Sequence, residues 1–181
     1  MNHASAEPVQ LYARAAVVLG LLSVLAGAFG EAYVPPLLVV PGDAAATAAN
    51  LVASESLFRW GFAAYLVEAL CDAGLTLLFY LLLRVVGKPL ALLAVFYRLL
   101  GTAVFAMAQV AYFAALPIAK AGAGQEPLAA AQANGLALLA TQVASYGQAI
   151  SLLFYGAGTF LVGLLMARSR FLPRLVGCCW C

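Results

Sequence analysis

Glu68, Asp72 and Arg98 are the residues of this chain whose types and spacing could do chemistry. Each stands in a long apolar stretch, where an ionisable side chain is costly and marks a functional candidate. Glu68 and Asp72 are four residues apart, so a helix brings both carboxylates to one face. Like charges so placed repel, and a proton relieves the repulsion. Arg98 stands across a Gly87-Lys88-Pro89 turn that pairs the flanking stretches as an antiparallel hairpin. Asp72 lies twelve residues before Arg84, and Arg98 nine after Pro89. At helical rise their Cα levels differ by about 5 Å, within reach of an arginine side chain. An Asp72–Arg98 ion pair is expected, with Glu68 one turn further out. Three readings are open: a structural pair that fixes helix register, a proton or ligand site facing a polar cavity, and side chains that snorkel apart. Gln109, Gln142, Ser145, Tyr146, Gln148 and Ser151 are candidates to line the same cavity, or to bond between helices as modest glue.

The elements that must position these groups follow from composition. Of 181 residues, 66% are hydrophobic and 9% charged, with a mean hydropathy of +1.02. A soluble domain carries about a quarter of its residues as charges. The chain therefore reads as one all-α, polytopic transmembrane bundle of about four spans, solvated mostly by the lipid bilayer. A net charge of +2 and the lack of a basic stripe exclude nucleic acid as a partner.

A span takes about 20 apolar residues. The pattern predicts spans near 15–34, 57–84, 90–116 and 145–167, with alanine-rich outer helices at 43–54 and 128–144. Residues 168–181 begin a further, incomplete segment. Pro35-Pro36 should end the first span, because a residue before proline is biased away from the helix. Pro117 should open the next loop. Within the first span, Ser23 with Gly27 and Ala26 with Gly30 let another backbone approach closely. Arg14 and Ala26-Gly27-Ala28 loosely fit a signal peptide, but the length of the run and Glu7 favour a span. Asp43 caps the helix after it. The two halves share an order of span, alanine-rich helix and span, and such stretches look alike without common descent.

Arg14, Arg84, Lys88, Arg168, Arg170 and Arg174 fall on one side of this topology, and Arg59 and Lys120 on the other with Glu31, Asp43, Glu55 and Glu126. Basic residues favour the cytoplasm, so both termini are expected there. Tyr33, Trp60 and Tyr112 are expected as anchors at the outer boundary, Tyr12 and Tyr80 at the inner one. Glu31 reads as a solvated helix end. No span holds a histidine, His3 being the only one, which disfavours haem, catalytic zinc and triad hydrolysis. No phosphate loop is present. No cofactor and no metal are expected.

Val40-Pro-Gly-Asp-Ala-Ala-Ala-Thr-Ala-Ala-Asn50, Ala53-Ser-Glu-Ser-Leu-Phe-Arg59, Leu90-Ala-Leu-Leu-Ala94 with Arg98, Ser145-Tyr-Gly147, Phe154-Tyr-Gly156 and Phe171-Leu-Pro-Arg-Leu-Val-Gly177 occur in that order. As a set they resemble the bacterial membrane family catalogued as domain of unknown function 4386, from about residue 12 to 177. The resemblance implies a bundle in the inner (cytoplasmic) membrane of a bacterium and brings no activity or catalytic residue with it. It also implies further apolar sequence after Gly177, where this chain reads Cys-Cys-Trp-Cys181. The codons GGC GTG CTG CTG GTG C, less one G, yield that ending, so a frameshift is expected. As a metal or redox cluster, Cys178, Cys179 and Cys181 lack a fourth ligand. The expected role is non-enzymatic: binding of a small molecule or lipid, or partnership with a protein in the membrane. A proton-coupled transporter using Glu68 or Asp72 is the alternative, and an intramembrane enzyme acting on a lipid-like substrate the weakest.

Overall fold

A computed structural model describes residues 7–122 and 127–169, and every regular element among them is helical. His3, Glu126, Arg170, Arg174 and the cysteine-rich ending lie outside the described residues. Helix α1 (Glu7–Gly27) passes through a π-helical segment (Ala28–Tyr33) into the short α2 (Val34–Leu38). A turn at 39–43 needs Gly42 for its left-handed φ of 80°. Asp43 then accepts from Ala46 N at 2.9 Å, as an N-cap should, and opens α3 (Ala44–Ala53). Next come α4 (Glu55–Gly122) and α5 (Pro127–Arg168).

Three helical stretches are long and apolar enough to cross a membrane: Gln10–Leu38, Glu55–Gly122 and Ala130–Arg168. The middle one cannot be a single rod. Its 68 residues would measure about 100 Å, against a hydrocarbon core of about 30 Å. At Gly87 it leaves helical angles (φ −171°, ψ 90°) and doubles back, giving an outgoing arm (55–86) and a returning arm (88–122). The arms are antiparallel: Lys120 Nζ meets Glu55 at 2.6 Å, Tyr112 stacks on Phe58 with centroids 4.7 Å apart, and Tyr65 meets Phe105 edge-on at 5.7 Å.

Small residues let the remaining helices close on this hairpin. On the returning arm Ala94, Gly101, Ala108, Ala115 and Gly122 recur every seven residues, and on α5 Ala137, Ala144, Ser151 and Gly158 do the same, all buried. A seven-residue repeat keeps one seam facing its partner over many turns. Backbones approach so closely that a Cβ added at Gly101 would stand 2.8 Å from Tyr155 N, and one at Gly158 2.8 Å from Arg98 N. Helix α1 lies antiparallel along the outgoing arm, with Gly27 beside Glu68 and Gly30 beside Gly61 and Tyr65. Two apolar cores result. One joins Val34, Leu38, Leu51, Phe58, Tyr65, Tyr112, Leu116 and Ala137. The other, at the bend, joins Leu83, Ala91, Ala94, Val162 and Leu165.

The structure departs from the sequence expectations in four places. Pro35-Pro36 do not end the first helix: Val34 is helical (φ −70°, ψ −50°) in front of proline, and the chain stays helical to Leu38. The π segment just before them and the two prolines in the first turn of α2, where amide hydrogens are not required, make this possible. Pro117 sits inside α4, which runs on to Gly122 because Ala115, Leu116 and Ala119 pack in the same core as Ala137. Residues 128–144 and 145–167 are not an outer helix and a separate span but one continuous α5, its buried seam unbroken from Ala137 to Gly158. The two halves of the chain are accordingly unlike. Tyr112 is 4% exposed and stacked in the core rather than an interfacial anchor, while Tyr33 and Trp60 are exposed on the outside of the bundle.

The seam can be tested by adding single methyl groups. Gly101→Ala and Gly158→Ala are each expected to destabilise by about 1–3 kcal/mol through overpacking. Gly135→Ala, where nothing stands within 4 Å, should gain up to about 1 kcal/mol of helix propensity. Denaturant unfolding in detergent, followed by circular dichroism, measures all three.

Candidate functional site

Between the two cores lies a polar layer centred on Arg98. Its side chain is 2% exposed, in surroundings where an uncompensated charge would be prohibitive. Compensation comes from two other segments of chain. Nε donates to Thr76 Oγ1 (2.9 Å) on the outgoing arm, and Nη1 to Thr159 Oγ1 (2.8 Å) and Nη2 to the Tyr155 hydroxyl (2.6 Å) on α5. The guanidinium carbon also lies 4.2 Å from the Tyr155 ring centroid and 5.4 Å from that of Phe79, both within cation–π range.

Asp72 supplies the countercharge. Its Oδ1 stands 4.0 Å from Arg98 Nη2, too long for a direct hydrogen bond. The Tyr155 hydroxyl fills the gap, accepting from Arg98 and donating to Asp72 Oδ1 at 3.1 Å. Ser23 Oγ on α1 donates to the same oxygen at 2.9 Å. One connected network thus ties α1, both arms of α4 and α5 together at a single level.

Glu68, one turn from Asp72 on the outgoing arm, is not part of this network. Its Oε2 is buried with no hydrogen-bond partner among the described residues. Gly27 makes room for it: a Cβ there would stand 2.8 Å from Glu68 Oε1. Glu31 completes the acidic set from the π-helical segment and accepts a long hydrogen bond from Gln148 Nε2 (3.3 Å). Glu31 is exposed, as expected of it, and it also forms part of the wall of a cavity.

Two clefts adjoin here. The inner one, about 690 Å³, has α1 on one side (Ser23, Val24, Gly27, Ala28, Glu31) and α5 on the other (Gln148, Ala149, Ser151, Leu152, Tyr155), with Glu68, Asp72, Gly101, Thr102 and Phe105 as its floor. Its lips are apolar and outward-facing, Val24 and Leu152 being 68% and 67% exposed. The outer cleft, about 570 Å³, is lined by Glu31, Pro35, Pro36, Pro41, Tyr65, Tyr112, Thr141, Gln142, Ser145 and Gln148 among others. Glu31, Ser145 and Gln148 belong to both.

Of the residues expected to line a cavity, Gln142, Ser145, Gln148 and Ser151 do so. Two do not. Tyr146 is 70% exposed on the outside of the bundle, and Gln109 is buried away from both clefts, its amide unpartnered. Sequence reading missed Thr76, Tyr155 and Thr159, the ligands of Arg98. Its one available signal was that Tyr155 and Thr159 are four residues apart, which puts them on one helical face.

A helical bundle with spans of membrane length and a polar layer at its centre is a polytopic integral membrane protein. More particularly, the chain matches, over residues 16–180, the family described as Domain of unknown function (DUF4386), and it belongs to that family. No curated protein and no solved structure matches it.

The network predicts strong coupling between its charges. Arg98→Met should cost on the order of 3–5 kcal/mol, since it strands Asp72 beside an apolar core. Combined with Asp72→Asn, the loss should fall below the sum of the single losses by about 0.5–3 kcal/mol. Unfolding of the four proteins in detergent gives the cycle, and strict additivity would mean the two side chains do not interact.

Proposed function

We propose that this protein binds an amphipathic small molecule or lipid that enters sideways from the bilayer. Its polar end lies over Glu68 and Asp72 and its apolar part between α1 and α5. The observation that carries this reading is the shape of the inner cleft: a polar floor in mid-bundle, apolar lips facing outward, and a volume of about 690 Å³, which is within the range of small-molecule sites. Two of the serines lining it serve as hydrogen-bonders within their own helix. Ser145 and Ser151 donate to carbonyls of their own helix, Thr141 O and Gln148 O, so neither is held by a base that could activate it.

A second reading, proton-coupled transport, draws on the unpartnered oxygen of Glu68 beside two adjoining clefts. In that reading Glu68→Gln abolishes pH-driven solute uptake into proteoliposomes while ligand binding persists.

The proposed setting is the cytoplasmic membrane, with both termini on the cytoplasmic side. Arg14, Arg84, Lys88 and Arg168 gather toward the bend, and Asp43, Glu55, Arg59 and Lys120 toward the opposite end, where Glu55 pairs with both Arg59 and Lys120. The positive end of such a bundle favours the cytoplasm. In a chain whose four cysteines are replaced by serine, a cysteine placed at the exposed Pro41 should react with an impermeant maleimide added to whole cells whose outer membrane is permeabilised, and one at Lys88 only after the inner membrane is opened. The reverse pattern would invert the topology.

Occupancy of the cleft can be measured with a diazirine-bearing fatty alcohol as a neutral amphiphile. Photolysis in bilayers is expected to label peptides containing Val24 and Leu152, and Ala149→Trp, which fills the cleft from the α5 side, to reduce that labelling about tenfold. Labelling spread evenly over outward-facing residues such as Phe160 would remove the proposal.

A further inference from the structure

Building on that reading, we infer that the polar end of the ligand is a bulky organic cation, an ammonium or similar onium group with apolar substituents, and that both clefts accept it. Charge makes the first part of the case. Glu31, Glu68 and Asp72 all line the inner cleft, and among the described residues no lysine or arginine lines either cleft. The nearest of the described cations, Arg98, is buried with its three nitrogens already bonded to Thr76, Thr159 and Tyr155. It balances Asp72, and the described residues give Glu31 and Glu68 no countercharge. A carboxylate in apolar surroundings is neutralised by a proton or a cation.

The form of the cation follows from geometry. Among the described residues, no three His, Cys, Asp or Glu side chains converge so as to hold a metal ion. Spread along the cleft, the carboxylates suit a large ion of diffuse charge, and the apolar lips suit its substituents. The outer cleft adds an unpartnered polar group: Tyr65 and Tyr112 line it beside Glu31, their rings packed against Phe105 and Phe58, and the buried Tyr112 hydroxyl has no hydrogen-bond partner among the described residues. Between the two clefts stands the single 3.3 Å bond from Gln148 to Glu31. Glu31 therefore faces a cation held in either cleft.

Tetraphenylphosphonium and tetraphenylborate share a shape and differ in sign, so they isolate charge. With the purified full chain in neutral detergent, isothermal titration is expected to show the phosphonium binding at least about tenfold more tightly than the borate. Glu31→Gln and Glu68→Gln should each weaken the phosphonium about fivefold or more. Glu55→Gln, whose carboxylate lies outside both clefts, should leave it unchanged, and melting temperatures confirm that each variant is folded. Equal binding of the two ions, no phosphonium binding, or phosphonium affinity that survives both cleft substitutions overturns the inference. The neutral fatty alcohol separates the two levels. If it still labels the lips of the cleft while the phosphonium fails, the amphiphile reading stands and the cationic class falls; if both fail, both fall.

Discussion

A guanidinium cannot be left bare in a low-dielectric interior, and that constraint organises this bundle. Arg98 must be met by several polar groups at once, and the chain supplies them from different helices: Thr76 from the outgoing arm, Tyr155 and Thr159 from α5, and Asp72 through the Tyr155 hydroxyl. Each contact has tight geometric limits, so together they set the relative heights of the elements. Ser23 extends the same control to α1 by bonding Asp72. Two apolar cores lie on either side of this layer, and the seam of small residues between α4 and α5 holds the same register.

The cleft is a by-product of how the layer is assembled. Helix α1 packs on the outgoing arm, and α5 packs on the returning arm through its seam of small residues. What remains between α1 and α5 is space, and the carboxylates not consumed by Arg98 face into it. Gly27 contributes by having no side chain where Glu68 needs room. Stability and binding thus draw on the same layer of residues, one side chain of the acidic pair serving each. The i, i+4 carboxylates differ in environment, Asp72 being bonded to Ser23 and Tyr155 while Glu68 Oε2 has no partner.

Much of this was legible in the sequence, for identifiable reasons. Hydropathy and length gave the helical membrane bundle, because a bilayer imposes a simple rule on both. Counting residues from the Gly87 turn gave the proximity of Asp72 and Arg98, since helical rise is fixed and the hairpin shares one origin. The Tyr155 bridge was hidden because it joins positions 83 residues apart, and no local spacing encodes that. That the exposed Glu31 also lines both clefts was hidden for the same reason, since the opposite wall comes from Ser145 and Gln148, more than a hundred positions away. Pro117 and the alanine-rich stretch after 127 were read as breaks by local preference, and packing between α4 and α5 overrode it. The seven-residue recurrence of Ala or Gly from 94 to 122 was visible in the letters alone. It is the one long-range feature that inspection could have caught.

The unbroken course of α5 has a mechanical side. Its 42 residues make a rod of about 63 Å, roughly twice the hydrocarbon thickness. Near its start it lies against the returning arm, Ala130 and Ala133 beside Gly122, and the same helix carries Tyr155 and Thr159 to Arg98. The height of the first contact and that of the arginine cluster are thus set by one ruler: neither can shift along the bundle axis while the other stays.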